Sequence, residues 1–419
     1  MRSAAVVPRV FALVGAIGLS FAACAAQPRQ AANASTALTD ADKDAFIQLT
    51  MRSAGLPGLQ TVVVKNGRVV WAKSYGNAVL DLPGPRRAMT NDSVLFSASV
   101  AKILVTVAVL QQVEKSRFSL DDDINQFVPF KVRNPAWPDV PITWRMLLTH
   151  TSSMKSEDDE RASATETYGR DASMTLDDYA KNAFVPGGSY HWAERFASGK
   201  PGTERIYSND AFDLAGSALQ SIVHEPLYKY IDEEILAPLG MKNTSYWIAG
   251  RRSAPYAVAY ASVRQKDGRY DYVPAKIYWA HGQPSGSAFD YQMTAPNYAS
   301  GTAHTTALDF ARLMLMLMNG GAVDGKRILQ QSSVDLMMTP IGLRNLDGWA
   351  QGLGLAGPKD IHGRQVWGHD GEDRGAANAL YINRETGVGA IAFANAMDPG
   401  FTMTYVVVDL DLHLMSWFE

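Results

Sequence analysis

The chain has 419 residues, of which 47% are hydrophobic and 19% charged, and its formal net charge is −3. That balance is ordinary for a globular protein and leaves core enough for two or three domains or one large composite domain. With no basic patch and no acidic tail, it argues against a nucleic-acid partner.

Residues 1–25 read as a processing segment. Met1-Arg2 and Arg9 supply positive charge, and Phe11 to Ala23 is an apolar run of signal-peptide length, too short to span a bilayer. Two readings stand open. Ala23-x-Ala25 is a small-x-small cleavage site for a soluble exported protein. Ala22-Ala23-Cys24 resembles a bacterial lipobox, in which Cys24 becomes the lipidated first residue and anchors the chain to a membrane. Phe21 departs from the leucine usual there. Either way the expected location is outside the cytoplasm of a bacterium, in the periplasm or on a membrane. Cys24 is the only cysteine, which excludes an intrachain disulfide and a catalytic thiol elsewhere. Residues 26–37 look like a polar tether.

Thr39 with Asp40 predicts a capped helix to about Arg52, stopped by Gly55-Leu56-Pro57-Gly58. Leu59–Lys65 and Arg68–Tyr75 around Asn66-Gly67 predict a β-hairpin. The run from Ile103 to Val113 is apolar on nearly every face and predicts a buried helix with Ser99 at its first turn. Pro141 to Ser152 predicts a short capped helix. Residues 154–204 are polar and predict a lid or rim. Asn209–Val223 and Leu227–Leu239 are helical in pattern, with Gly240 as C-cap. Residues 250–299 carry Tyr256, Tyr260, Tyr270, Tyr272, Tyr278, Trp279, Tyr291 and Tyr298. They are either a substrate wall or a connection packed by its own aromatics. Thr305–Met318 predicts an amphipathic helix; Gly352–Ala356, Gln365–Gly368, Ala376–Ile382 and Gly387–Ala394 predict strands; Thr402–Phe418 predicts a closing helix. The fold class is therefore α+β: residues 38–115 and 300–419 form an α/β domain, interrupted by a helical, loop-rich insertion over 116–299.

Three short stretches carry chemistry. In Ser99-Val100-Ala101-Lys102, positions i and i+3 share a helix face, with Cβ atoms about 5–6 Å apart. A lysine in so apolar a helix is pushed toward neutrality and can take a proton from a serine. In Tyr207-Ser208-Asn209 the phenol of Tyr207, its pKa lowered by a nearby lysine, is a candidate base, and the Asn209 amide can hold a lysine or a substrate amide. In His369-Asp370-Gly371-Glu372, His369 offers a charge or a hydrogen bond to a substrate carboxylate, Gly371 lets backbone approach closely, and the N–H groups of Glu372 and Ser99 pair as an oxyanion hole. Gly352–Gly357 matches G-x-G-x-x-G, but Pro358 follows instead of a helix, so a nucleotide site is not expected. No His, Cys or carboxylate cluster has metal-ligand spacing, and no cofactor is expected.

In order and spacing these motifs resemble those of the serine β-lactamase and D-alanyl-D-alanine-peptidase superfamily, most closely its class C β-lactamase-like branch, which includes family VIII carboxylesterases. That family has S-x-x-K, then Y-x-N, then K-T-G or H-x-G, with a landmark like Leu147-Leu148-Thr149-His150-Thr151-Ser152 between the first two. The resemblance spans roughly residues 40 to 415. It implies a β-lactamase/transpeptidase-like fold, an antiparallel sheet flanked by helices with a helical insertion domain. It also implies an acyl-enzyme on Ser99, a base role shared by Lys102 and Tyr207, and substrate positioning by Asn209, His369, Gly371 and Glu372. The expected activity is that of an exported serine hydrolase on a small ester, amide or D-amino-acid peptide. The alternatives are a true class C-type β-lactamase and a penicillin-binding-like envelope lipoprotein that binds without turnover. His369 in place of lysine makes efficient β-lactam hydrolysis the weaker expectation. Glu372 and Asp373 would repel a substrate carboxylate unless Arg374 offsets them.

Overall fold

The computed structural model describes residues 38–81, 84–156, 164–344 and 348–419. Cys24 and the whole leader and tether lie outside them. Among the described residues no helix is long and apolar enough to cross a membrane.

Helix α1 (Asp40–Ala54) starts with a reciprocal capping box between Thr39 and Asp42. The hairpin follows as β1 (Gly58–Lys65) and β2 (Arg68–Val79). Asn66 and Gly67 both take positive φ, 51° and 74°, the pair of left-handed residues that a tight hairpin turn needs. Helix α2 (Lys102–Glu114) is buried from Lys102 to Gln112. Helices α3 (Asn209–Val223) and α4 (Ala307–Met318) follow, and then β3 (Trp367–Asp373), β4 (Ala376–Asn383), β5 (Val388–Ala394) and α5 (Met403–Ser416).

These five strands lie in an eight-stranded antiparallel sheet. Its centre runs β3-β4-β5-β1-β2, so the C-terminal strands return to pair with the N-terminal hairpin. Alternation along each strand divides its side chains between two cores. Val62 and Val64 of β1, Leu380 and Ile382 of β4, and Ile391 and Phe393 of β5 join the core that holds α2, α3 and α4. Leu59, Val63, Ala377, Ala379, Ala390, Ala392 and Ala394 face the other way, with Ile47 of α1 and Val407 and Leu410 of α5. The alanines on that face leave room for α5 to lie close.

Two segments differ from the sequence expectation, and a third settles between two readings that the sequence left open. The polar stretch 154–204 carries a helix, Leu176–Phe184, which buries Tyr179 and Ala183 in the α2 core; its apolar spacing had the Thr175 cap to announce it. Half of the eight aromatics named for 250–299 pack inward: Tyr256, Tyr260, Tyr291 and Tyr298 are buried. Part of the stretch forms a small sheet, Tyr260–Arg264 with Tyr270–Pro274. Packing by its own aromatics is thus the reading that describes this connection. Finally, the strand expected over Gln365–Gly368 runs instead as β3 from Trp367 to Asp373, so His369-Asp370-Gly371 lies within it, and His369 is buried.

Candidate active site

Ser99 lies in a 3-10 turn, Ala98–Ala101, that runs directly into α2. Ala98 has φ 46°, a left-handed conformation that costs a non-glycine residue about 1 kcal/mol. That sharp turn separates the serine from the strand-like Leu95–Phe96 before it. The segment is tied to the sheet by Asn378 of β4. Its Nδ2 donates to the Phe96 carbonyl at 2.9 Å, and its Oδ1 accepts from Ala394 N at 3.2 Å.

Lys102 Nζ donates to Ser99 Oγ at 2.8 Å, to Asn209 Oδ1 at 2.8 Å, and to the Ser300 carbonyl. Tyr207 Oη reaches the same Ser99 Oγ at 2.8 Å. Asn209 and Ser300 present acceptors only, so they hold two N–H bonds and leave the third amine position to the serine. Burial brings the Lys102 amine down to about 7, against the opposite pull of Asp213, Asp373 and Asp370. The Tyr207 phenol moves the other way. Burial raises its pKa more than the Ser99 bond lowers it. The expectation of a lowered tyrosine pKa is therefore corrected: desolvation of the buried phenol outweighs its hydrogen bond to Ser99, and the nearby Asp370 adds to the rise.

Tyr207 is positioned by the Leu147–Ser152 landmark, to which the sequence reading gave no role. His150 stacks on Tyr207 with ring centroids 4.3 Å apart, its Nδ1 accepts from Ser208 N at 3.1 Å, and its carbonyl accepts from Ile206 N at 2.8 Å. Ser208 then caps α3 through Ala211 N at 3.1 Å, which places Asn209 in the first turn. On the far side of the lysine, Asp213 Oδ1 accepts from Ser300 N at 2.9 Å and fixes the carbonyl that Lys102 uses.

Strand β3 passes close to the serine turn. A Cβ on Gly371 would lie 2.8 Å from the Ser97 carbonyl and 3.0 Å from Val100 Cγ2, so only glycine admits this approach. Ser99, His369 and Glu372 line one cavity of about 540 Å³ together with Tyr207 and Asn209. The His369 ring is 6.2 Å from the Tyr207 ring. Burial first, and Lys102 second, hold its pKa down to about 3. His369 is therefore neutral at pH 7. The charge assigned to it from sequence is corrected, and only the hydrogen-bonding part of that role remains. Among the described residues no group of three or more His, Cys, Asp or Glu side chains is placed to hold a metal ion.

The backbone at Gly301 closes the site from the opposite side. A Cβ there would lie 3.2 Å from Ala98 C and 3.4 Å from Ser99 N. The branched side chain in Gly301→Val must displace the Ala98–Ser99 peptide. A misplacement on the order of 1 Å is expected to lower turnover about 10²-fold, with an unchanged circular dichroism spectrum. Turnover within twofold of the parent would show that this contact does not set the position of Ser99.

The Beta-lactamase family model matches residues 44–410. Protein flp of Staphylococcus aureus (strain MRSA252) is 29% identical over 217 residues, 52% of this chain and 40% of flp. The chain thus spans less than half the length of that relative. An octameric penicillin-binding protein homologue from Pyrococcus abyssi superposes with a TM-score of 0.67 at 21% identity, covering 91% of this chain and 77% of its own. The D-amino acid amidase from Ochrobactrum anthropi SV3 gives 0.65 at 21% identity, over 90% and 99%. At such identities the two structures establish the shared fold, an antiparallel sheet flanked by helices of the β-lactamase/transpeptidase type. Motif order, fold and family match agree: the chain belongs to the Beta-lactamase family.

Proposed function

We propose that this protein is a serine hydrolase that works through an acyl-enzyme on a small ester, amide or D-amino-acid peptide. The observation that carries the reading is the pair of 2.8 Å contacts to Ser99 Oγ, one from Lys102 Nζ and one from Tyr207 Oη, at the wall of an open cavity. In this reading Ser99 Oγ attacks the substrate carbonyl carbon while its proton passes to the neutral Lys102 amine. The protonated amine returns that proton to the leaving alcohol or amine, directly or through Tyr207, as the acyl C–O or C–N bond breaks. Water then attacks the ester on Ser99 by the same route and frees the acid. The resemblance in fold to a D-amino acid amidase supports the amide part of this reading. The neutral His369 gives a β-lactam carboxylate no ionic partner, so a β-lactamase role is the weaker reading.

The test is turnover of a panel by protein lacking residues 1–25, beside Ser99→Ala. The panel is a short-chain nitrophenyl ester, a D-amino-acid amide, a D-Ala-D-Ala peptide and a chromogenic cephalosporin. The expected result is ester or amide turnover, little cephalosporin turnover, and a variant reduced by roughly 10³-fold or more. A Ser99→Ala protein with full activity removes the nucleophile assignment. Fast cephalosporin turnover makes the protein a β-lactamase. An acyl adduct that forms on Ser99 and never clears makes it a binding protein.

Export, with Cys24 lipidated or the leader cut after Ala25, is part of the same proposal and rests on the leader pattern alone. The mass of the mature N-terminal peptide from a bacterial host separates lipidation, simple cleavage and retention of residues 1–25.

A further inference from the structure

The Lys102 amine makes two bonds besides the one to Ser99, and helix α3 governs both. Asn209 and Asp213 are four residues apart on α3, so they lie one turn apart on the same face. Asn209 Oδ1 accepts from Lys102 Nζ at 2.8 Å. Asp213 acts at second hand. Its Oδ1 accepts from Ser300 N at 2.9 Å, and the Ser300 carbonyl accepts from Lys102 Nζ. Lys102, Asp213 and Ser300 are 0%, 1% and 8% exposed, so bulk water does little to screen this chain of contacts. Ser300 also precedes Gly301, whose backbone packs on the Ala98–Ser99 peptide. The Asp213 bond thus holds the segment that closes the site as well as the carbonyl that holds the lysine.

A charge at position 213 is more than this bond requires. A neutral amide oxygen would accept from Ser300 N as well, and burying a carboxylate is costly. The groups around Lys102 show what that charge meets. Tyr207 keeps its proton, because burial raises its pKa. His150, stacked on that ring, and His369 on β3 are both held neutral, by burial first. Asp370 and Asp373 of β3 pull on the amine too, but after Asp213, the foremost charge opposing its desolvation. A lysine so buried and without a counter-charge holds a proton too weakly to take one from a serine. One paired directly with a carboxylate gives its proton up too late. Asp213, which reaches the amine through Ser300, lies between these limits.

We propose that Asp213 is a positioning residue for the base: through Ser300 it fixes where the Lys102 amine sits, and its negative charge sets how firmly that amine holds the proton it takes from Ser99. The inference rests on the hydrolase reading, in which Lys102 is the base, and extends it to a side chain that does not line the cavity.

Two measurements on the full chain test it. The first is an NMR titration of Lys102 Cε in protein labelled at lysine, with the signal assigned by its loss in Lys102→Met. The parent is expected to titrate at about 7. Asp213→Asn should titrate about one pH unit lower, the scale of one nearby charge in a partly screened interior. Asparagine still accepts from Ser300 N, so the amine stays in place while the charge is gone. The second is kcat/KM against pH on a short-chain nitrophenyl ester. The acid limb of Asp213→Asn should move down with the titration, and its plateau should fall by about tenfold or less, since a weaker base remains. Asp213→Leu strands Ser300 N and should lose about 10²-fold more. Asp213→Ser, too short to reach Ser300 N, takes its place if the leucine variant does not fold. A Lys102 that titrates alike in the parent and in Asp213→Asn overturns the charge role. A leucine or serine variant as active as Asp213→Asn overturns the positioning role. Failure of the hydrolase reading shows separately, as a parent that turns over nothing in the substrate panel, and the NMR titration does not depend on turnover.

Discussion

Lys102→Met is expected to lower kcat/KM by about 10³-fold or more and to leave the fold intact, because methionine fills the same apolar helix face. The loss follows from geometry. Among the described residues Lys102 is the one amine bonded to Ser99 Oγ, and Asn209 and Ser300 hold it there. The parent's kcat/KM should rise with pH along an acid limb centred near 7, with unit slope, as Lys102 loses its proton. Tyr207→Phe should be slower yet keep that limb, since burial raises the phenol's pKa and keeps it protonated through this range. A limb that vanishes in Tyr207→Phe would transfer the base role to the tyrosine. Stability provides an independent check on sign. The lysine's folded pKa lies below its unfolded value, so between about 7 and the ordinary lysine value of 10.5 the unfolded chain holds the extra proton. The group therefore costs stability below about pH 7, and the cost fades as pH rises toward the unfolded value. Lys102→Met should gain most over the parent in acid, as read from urea midpoints across pH. A variant within tenfold of parent activity would remove Lys102 from the mechanism.

Arg195→Met is expected to destabilise the protein by about 3–5 kcal/mol, the usual cost of stranding a buried charge. Arg195 Nη1 is paired with Asp210, and the two side chains are 3% and 0% exposed. Nη2 donates to the Tyr190 carbonyl at 3.0 Å, and the guanidinium lies 4.7 Å from the Phe184 ring centre. This pair fastens the segment around residues 190–196 to the start of α3, one residue after Asn209. Desolvation raises the Asp210 pKa even with the arginine present. Its ionised form is thus the costly one, and the cost grows as pH rises through the folded value. Arg195→Met should accordingly be most destabilising at neutral pH and less so in acid, where Asp210 is protonated. Arg195→Met with Asp210→Asn should recover part of the loss. A denaturation midpoint that does not move in the single variant would mean that the pair contributes nothing net.

Much of the fold could be read locally, because caps, turns and periodicity are local. Thr39, Asn66-Gly67, the apolar run after Lys102, and Gly240 each announce their element through the few residues around them. The same is true of the Ser99–Lys102 pair, whose approach follows from helix spacing alone. The helix at Leu176–Phe184 was legible in principle but was masked by the polar residues around it. The inward packing of Tyr256, Tyr260, Tyr291 and Tyr298 could not be chosen over a substrate wall, since an aromatic residue looks the same in sequence on either surface.

The sequence by itself determined the family, the α+β class and the identity of a serine, a lysine and a tyrosine that belong together, because their spacing and order are properties of the chain. The tertiary structure decided how those groups are charged. Burial of an entire helix brings the Lys102 amine down to about 7, and His369 stays neutral because strand β3 runs inside the protein. Arg374 donates to Glu166 because folding brings together side chains far apart in sequence. Charge state depends on the dielectric and on partners supplied by distant segments, and those exist only once the chain has folded.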